Sequence, residues 1–205
     1  RSAKAVADLC GEIEEIDVLT LYAFSTENWQ RPDTEIQALM QLLKEWLRRE
    51  VERMEKNNVR FETIGRPEEF AEDVREELRR TKERTRDNDD YILNLALNYG
   101  GRDELVRSVR TLVERASNGN LRPEDVDERT IEETLDTAHL PDPDLMIRTS
   151  GEKRLSNYLL WQSAYAEFYF TDVLWPDFRE EEFLEALAEY QERDRRYGRR
   201  TSPAE

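Results

Sequence analysis

The chain has 205 residues and a formal net charge of −16, with 31 Lys and Arg against 47 Asp and Glu. That acid excess repels nucleic-acid phosphates and excludes a DNA or RNA partner. A single Cys (Cys10) and a single His (His139) exclude a disulfide framework, a Cys-rich zinc site and any multi-His metal site, while 38% hydrophobic residues suffice for a packed core.

Taken in chain order, Arg1–Cys10 reads as helix, with Cys10 on its apolar face. Val18–Phe24 is a β-rich apolar run that predicts a buried strand. Pro32 with the Thr34–Gln37 pair signals a helix start, and the apolar residues at Ile36, Leu39, Met40, Leu43, Trp46, Leu47 and Met54 follow helical spacing. Asn57-Asn58 breaks that helix. Val59–Ile64 predicts a short strand ended by Gly65, and a second helix runs from Pro67 through Phe70, Val74 and Leu78. Tyr91–Leu97 predicts another buried strand, followed after Asn98–Arg102 by a helix with Leu105, Val109, Leu112 and Val113 on its apolar face. Thr130–Thr137 predicts a short helix, Asp144–Thr149 a strand, and Arg179–Arg195 the last helix. His139 lies in a Pro-flanked loop and reads as structural or solvated.

This alternation predicts an α/β fold with a mostly parallel sheet flanked by helices. No apolar run approaches the roughly 20 residues that cross a bilayer, and the 205 residues hold no secretory signal pattern. Only five basic residues are Lys (Lys4, Lys44, Lys56, Lys82, Lys153). Acid excess with few Lys suits either a salty cytosol, where screening tolerates a self-repelling surface, or an ordinary acidic bacterial protein.

Ligands of parallel α/β sheets sit beyond the carboxyl ends of the strands. Ser25-Thr-Glu-Asn-Trp-Gln-Arg31 follows the first strand, Asn98-Tyr-Gly-Gly-Arg102 the third, and Arg148-Thr-Ser-Gly-Glu-Lys-Arg154-Leu-Ser156-Asn157 the fourth. Glycines allow close backbone approach, and the following helix N-terminus favours anions. Arg forks, a Lys and hydroxyls gathered around a Gly suit a diphosphate. Neither standard glycine-rich phosphate-loop signature is present, and one His with one Cys disfavours Ser-His-Asp or Cys-His catalysis. Asn157–Phe178 holds eight of the 19 aromatic residues, and among them one carboxylate, Glu167. A buried carboxylate needs a cation, which leaves two readings: an Arg such as Arg148, or a hard divalent ion such as Mg²⁺ shared with a diphosphate.

Leu21–Pro32, Asn98–Arg102, Ile147–Asn157 and Trp161–Phe178 closely resemble, in order, the blocks of the cis-prenyltransferases, the undecaprenyl diphosphate synthase family, and the match runs from about residue 3 to residue 200. The resemblance implies a mostly parallel central sheet flanked by helices, with a hydrophobic tunnel for the growing chain. It implies repeated cis addition of isopentenyl diphosphate to an allylic diphosphate primer (farnesyl or geranylgeranyl), giving a polyprenyl diphosphate that carries glycans. It implies Mg²⁺, a homodimer, and a cytoplasmic enzyme with peripheral membrane contact for product release. Arg148, Arg154, Ser156 and Arg31 match positions that hold isopentenyl diphosphate. Ser25 and Asn28 match residues beside the reacting carbons, Glu27 and Trp29 a mobile loop closing over substrate, and Glu167 a carboxylate linked to Mg²⁺. Arg196 and Gly198 match a C-terminal Arg-x-Gly that reaches the partner subunit's site. The Thr34–Met54 helix is expected to line the tunnel and the Tyr91–Leu97 strand to form another wall, with Tyr91 limiting product length if its ring faces the floor.

Two departures stand out. Ser150 replaces the first glycine of the usual Arg-Thr-Gly-Gly-Glu, and the family's opening strand with its Asp-Gly-Asn block, whose Asp holds Mg²⁺ and primer diphosphate, is not among the 205 residues. The resulting expectation is one cis-prenyltransferase domain over residues 1–200, N-terminally truncated and inactive alone, with 201–205 a tail. The alternative is a non-catalytic subunit or degenerate relative, but the retention of Ser25, Asn28, Arg31, Arg148, Arg154, Ser156 and Glu167 speaks against it.

Overall fold

The structure, a computed structural model, describes residues 1–193. The elements run α1 (Ser2–Cys10), β1 (Val18–Ser25), α2 (Asp33–Lys56), β2 (Val59–Gly65), α3 (Glu72–Thr85), β3 (Tyr91–Tyr99), α4 (Gly101–Ser117), α5 (Glu128–Glu132), β4 (Leu145–Arg148), β5 (Glu167–Phe170) and α6 (Glu180–Gln191). Pro67 opens only a 3-10 turn before α3 begins at Glu72. β5, buried in the aromatic segment, escapes sequence reading because four residues carry too little alternation to mark a strand.

The parallel α/β expectation holds, but the strands divide between two sheets. β3 lies between β1 and β2, all parallel, and β4 pairs in parallel with β5. β3 reads as a continuous apolar run because both of its faces are covered. Leu93, Leu95 and Leu97 join Phe24 and Phe61 on one face, packed by Val6 and Cys10 of α1, Leu47 and Met54 of α2, Val74 and Leu78 of α3, and Phe183 of α6. Ala96, Ile64, Tyr99, Tyr158 and Leu159 form the second cluster, with Tyr22 and Met146 against it.

Tyr99 belongs to the Ala96 face although strict alternation puts it with Leu97. The cause is Asn98, which adopts φ 50°, a left-handed conformation that Asn tolerates better than most residues. The β1–β3 register steps from Tyr22↔Ala96 to Phe24↔Leu97 and then to Ser25↔Tyr99, so each strand carries one extra residue, Ala23 and Asn98. Paired bulges at the carboxyl ends re-aim the side chains that follow.

The free edges of β1 and β4 face one cavity of about 1000 Å³, lined by Val18–Ala23 and Leu145–Thr149. Leu42, Leu43 and Trp46 of α2 close another side, as the tunnel expectation requires. From β3 only Leu95 reaches it. Tyr91 does not: its hydroxyl donates to the Ala7 carbonyl at 2.6 Å, and its ring lines a separate cavity with Gly11 and Arg53. The length-limiting role considered for Tyr91 therefore has no footing. On α4, Leu112 is buried but Val109 and Val113 are 57% and 59% exposed, contrary to the apolar face expected of them. Cys10 is core, with its thiol pushed up to about 12 by burial, and His139 is exposed.

Candidate active site

Ser25 ends β1 and caps the 3-10 turn Thr26–Gln30, where Ser25 and Asn28 form a reciprocal capping box. The Ser25 N–H donates to Asn28 Oδ1 at 2.9 Å. Trp29 Nε1 donates to Asn98 Oδ1 at 2.7 Å, and the indole packs edge-on against Phe24 and tilted against Phe70. Asn98 in turn donates from Nδ2 to Glu69 Oε2 at 2.7 Å. Glu27 Oε1 accepts from Asn157 Nδ2 at 2.9 Å. Burial pushes Glu27 up, but hydrogen bonds from Asn157, its own backbone, Ser25 and Thr26 hold it below the usual carboxylate value. Arg31 leaves the turn and ion-pairs with Glu35 at 2.7 Å, both side chains exposed.

On the other sheet, Arg148 ends β4. Its Nη2 donates to Ser156 Oγ at 3.4 Å, and its Nε is buried with no hydrogen-bond partner. Among the described ion pairs none involves Arg148, so its charge is free for an external anion. Arg154 is exposed and paired with Glu152. Both guanidinium groups line the apolar cavity at the β4 end. Tyr22 bridges the two strand ends. Its hydroxyl donates to the Tyr99 carbonyl at 3.0 Å, and its ring stacks on Tyr158 at 4.3 Å. Burial first, then the Glu27 carboxylate, push the Tyr22 phenol up to about 12, against a hydrogen bond with Ser25 and the Arg148 charge. Ser25, Glu27 and Arg148 thus surround one phenol, Tyr22, which the motif reading does not single out.

Two expectations change. The α4 N-terminus, expected to favour an anion, is already occupied by Asn157. The Gly101 N–H donates to the Asn157 carbonyl at 2.7 Å and the Arg102 N–H to Asn157 Oδ1 at 2.9 Å. The two glycines admit the protein's own groups: a Cβ at Gly100 sits 2.7 Å from Thr26 Oγ1, and one at Gly101 sits 2.7 Å from Leu160 Cγ. Glu167 is neither unpaired nor deeply buried. It opens β5, opposite Leu145, roughly 10 Å down the strand from Arg148, and Arg193 Nη1 donates to its Oε2 at 3.0 Å. The side-chain cation beside it is Arg193 rather than Arg148. Among the described residues no three His, Cys, Asp or Glu side chains are grouped to hold a metal ion. Arg196 and Gly198 lie outside the described residues.

A phosphate-ready Arg at the mouth of an apolar cavity, with hydroxyl and amide groups at neighbouring strand ends, fits a diphosphate carrying a hydrocarbon tail. Residues 1–198 match the undecaprenyl diphosphate synthase family profile, Prenyltransf. The chain belongs to this family, the cis-prenyltransferases. It is 45% identical over 197 residues to an isoprenyl transferase of Clostridium perfringens, covering 95% of this chain and 78% of that one. Against an isoprenyl transferase of Bacillus anthracis it is 48% identical over 183 residues, covering 89% and 71%. A crystal structure of lavandulyl diphosphate synthase from Lavandula x intermedia with dimethylallyl diphosphate superposes with a TM-score of 0.89 at 34% identity, covering 96% of this chain and 84% of that one. One of a probable undecaprenyl diphosphate synthase from Campylobacter jejuni superposes with 0.84 at 39% identity, covering 96% and 89%. The chain is a cis-prenyltransferase-family transferase, and the expectation that it is inactive alone finds no support in these relatives. No helix among the described residues is long and apolar enough to cross a membrane.

Proposed function

We propose that the protein condenses isopentenyl diphosphate with an allylic diphosphate, farnesyl or geranylgeranyl, and repeats the addition to give a long polyprenyl diphosphate that serves as a glycan carrier lipid. One observation carries this reading: the unpaired Arg148 at the mouth of the cavity between β1 and β4, whose walls are Leu21, Leu43, Trp46, Met146 and Phe168. A cation where the headgroup sits and apolar walls beyond it match an amphiphile of that chemistry.

In this reading Arg148, with Ser156 turned onto its guanidinium, binds the diphosphate of isopentenyl diphosphate, and Arg154 exchanges Glu152 for phosphate oxygens. Arg31 joins them by leaving Glu35. Each exchange replaces an exposed ion pair of small worth with a charge-assisted bond to a multivalent anion. Condensation breaks the primer C1–O bond, joins C1 to C4 of isopentenyl diphosphate, and releases a proton from C2 and inorganic diphosphate. Asn28 and Ser25 position the reacting carbons, and the Thr26–Gln30 turn with Glu27 and Trp29 excludes water. Arg196 and Gly198 complete a partner subunit's site in a homodimer.

Mg²⁺ enters through the family resemblance, and bound to a diphosphate it stabilises the leaving charge. Glu167 is paired with Arg193 here and would have to exchange that partner to hold the ion, so no step rests on that contact. A cytoplasmic location, brief contact with a membrane surface at product release, and adaptation of the acidic surface to high salt belong to the same reading.

The test is incorporation of labelled isopentenyl diphosphate by the protein with Mg²⁺ and farnesyl or geranylgeranyl diphosphate, with dephosphorylated products resolved by chain length. A ladder of long Z-polyprenols is expected. A single product one five-carbon unit longer than the primer points to one-step condensation, and no incorporation removes the reading.

A further inference from the structure

Asn157 is not among the residues placed at the diphosphate or the reacting carbons, yet it joins three elements. It adopts φ 62° directly after Ser156 at φ 52°, and that left-handed pair swings its amide between β1 and α4. Its main-chain carbonyl accepts from the Gly101 N–H at 2.7 Å, its Oδ1 accepts from the Arg102 N–H at 2.9 Å, and its Nδ2 donates to Glu27 Oε1 at 2.9 Å. α4 needs such help, because its N-cap residue is Gly100, which has no side chain to cap with. A cap from Gly100's own position is sterically closed, since a Cβ there meets Asn157 Nδ2 at 2.8 Å. Only a carboxamide satisfies both demands at once: an acceptor for the Arg102 N–H and a donor for a carboxylate.

We propose that Asn157 is a positioning residue. It clasps the Thr26–Gln30 turn to the N-terminus of α4 and so holds Glu27 and Asn28 in working order beside Ser25. The proposal rests on the prenyl-transfer reading above. It acts through Glu27, whose carboxylate takes the Asn157 Nδ2 hydrogen bond, while Trp29 is held independently by Asn98.

The test reverses the polarity of the clasp. Asn157→Asp keeps the acceptor for Arg102 but sets a carboxylate against Glu27. Amide hydrogen exchange across residues 26–31 is expected to accelerate about tenfold or more, the equivalent of about one charge-assisted hydrogen bond, while β3 amides keep their protection. Adding Glu27→Gln to Asn157→Asp restores a donor opposite an acceptor, and exchange in 26–31 is expected to return to within about twofold of the unaltered protein. kcat for isopentenyl diphosphate incorporation is expected to fall about tenfold in Asn157→Asp, with a smaller change in KM, because the turn is displaced while Arg148 remains. Loss of β3 protection marks misfolding, in which case the double variant alone decides, since a generally damaged fold is not repaired by Glu27→Gln. Unchanged exchange in Asn157→Asp, failure of the double variant to restore it, or an unchanged kcat overturns the proposal. If the unaltered protein incorporates no isopentenyl diphosphate while exchange follows the expected pattern, the clasp stands and the prenyl-transfer reading fails.

Discussion

Arg148, half-buried, and Glu104, fully buried, show how differently two ionisable groups are held. Among the described residues Arg148 Nε has no partner, and a desolvated guanidinium without an anion is costly unless a ligand completes it. Arg148→Lys keeps the charge but loses the fork, so affinity for isopentenyl diphosphate measured by titration calorimetry is expected to fall about tenfold to a hundredfold, the worth of about one charged hydrogen bond. Melting temperature is expected to hold. Glu104, by contrast, is fully satisfied: Tyr99 Oη donates at 2.5 Å, the Asp136 N–H at 3.0 Å and Gln162 Nε2 at 3.1 Å. Burial is the main cause that raises Glu104 above its ordinary 4.5, and the Tyr99 and Gln162 donors oppose it. A carboxyl raised in the folded state binds more protons there than when unfolded. Its contribution to stability is therefore complete below the ordinary carboxylate value and declines as pH rises from 4.5 through the raised value. Glu104→Gln is expected to remove that decline, read as a flatter plot of urea midpoint against pH.

Among the elements, the carboxyl ends of β1, β2 and β3 carry the departures from regularity. Gly65 ends β2 at φ 99°, and a Cβ there falls 2.1 Å from the Leu97 carbonyl oxygen. Backbone cannot yield as a side-chain tip can, so Gly65→Ala is expected to cost about 3 kcal/mol or more in denaturant unfolding, combining a left-handed penalty with a backbone clash. The Gly65 N–H also donates to Asp136 Oδ2 at 2.9 Å, and Asp136 holds Arg107 through two bonds of 2.6 Å. The end of β2 is thereby coupled to the network around Glu104. Most of this was legible in part. The Gly100–Gly101 pair announced close approach, Gly65 marked the end of β2, and Pro32 marked the start of α2 to within a residue. What approaches the glycines was not legible, because Thr26, Asn157 and Leu160 come from elsewhere in the chain. β5 was missed for a related reason: its strand character comes from pairing with β4, not from its own periodicity.

At the scale of the whole molecule, charge and cavity dominate. The net charge of −16 opposes compaction, whereas the ion pairs, such as Arg31–Glu35 and Arg122–Asp125, are largely exposed and individually worth little. Raising salt from about 0.1 M to about 1 M shortens the Debye length from ~10 Å to ~3 Å and relieves the long-range repulsion first. Melting temperature is expected to rise with KCl over that range, and a fall indicates that the local pairs outweigh the net field. The same acidic shell makes the free Arg148 at the cavity mouth a local exception. By itself, the sequence determined the parallel α/β class, the family, the helices and the strand ends where chemistry gathers, because those depend on local periodicity and on residue types. Only the tertiary structure decided that the strands form two sheets facing one cavity, that Tyr91 points away from it, that Glu167 answers to Arg193, and that Asn157 caps α4 while holding Glu27. Each of these depends on which distant groups satisfy a given donor, acceptor or charge, and sequence spacing carries no record of such partners.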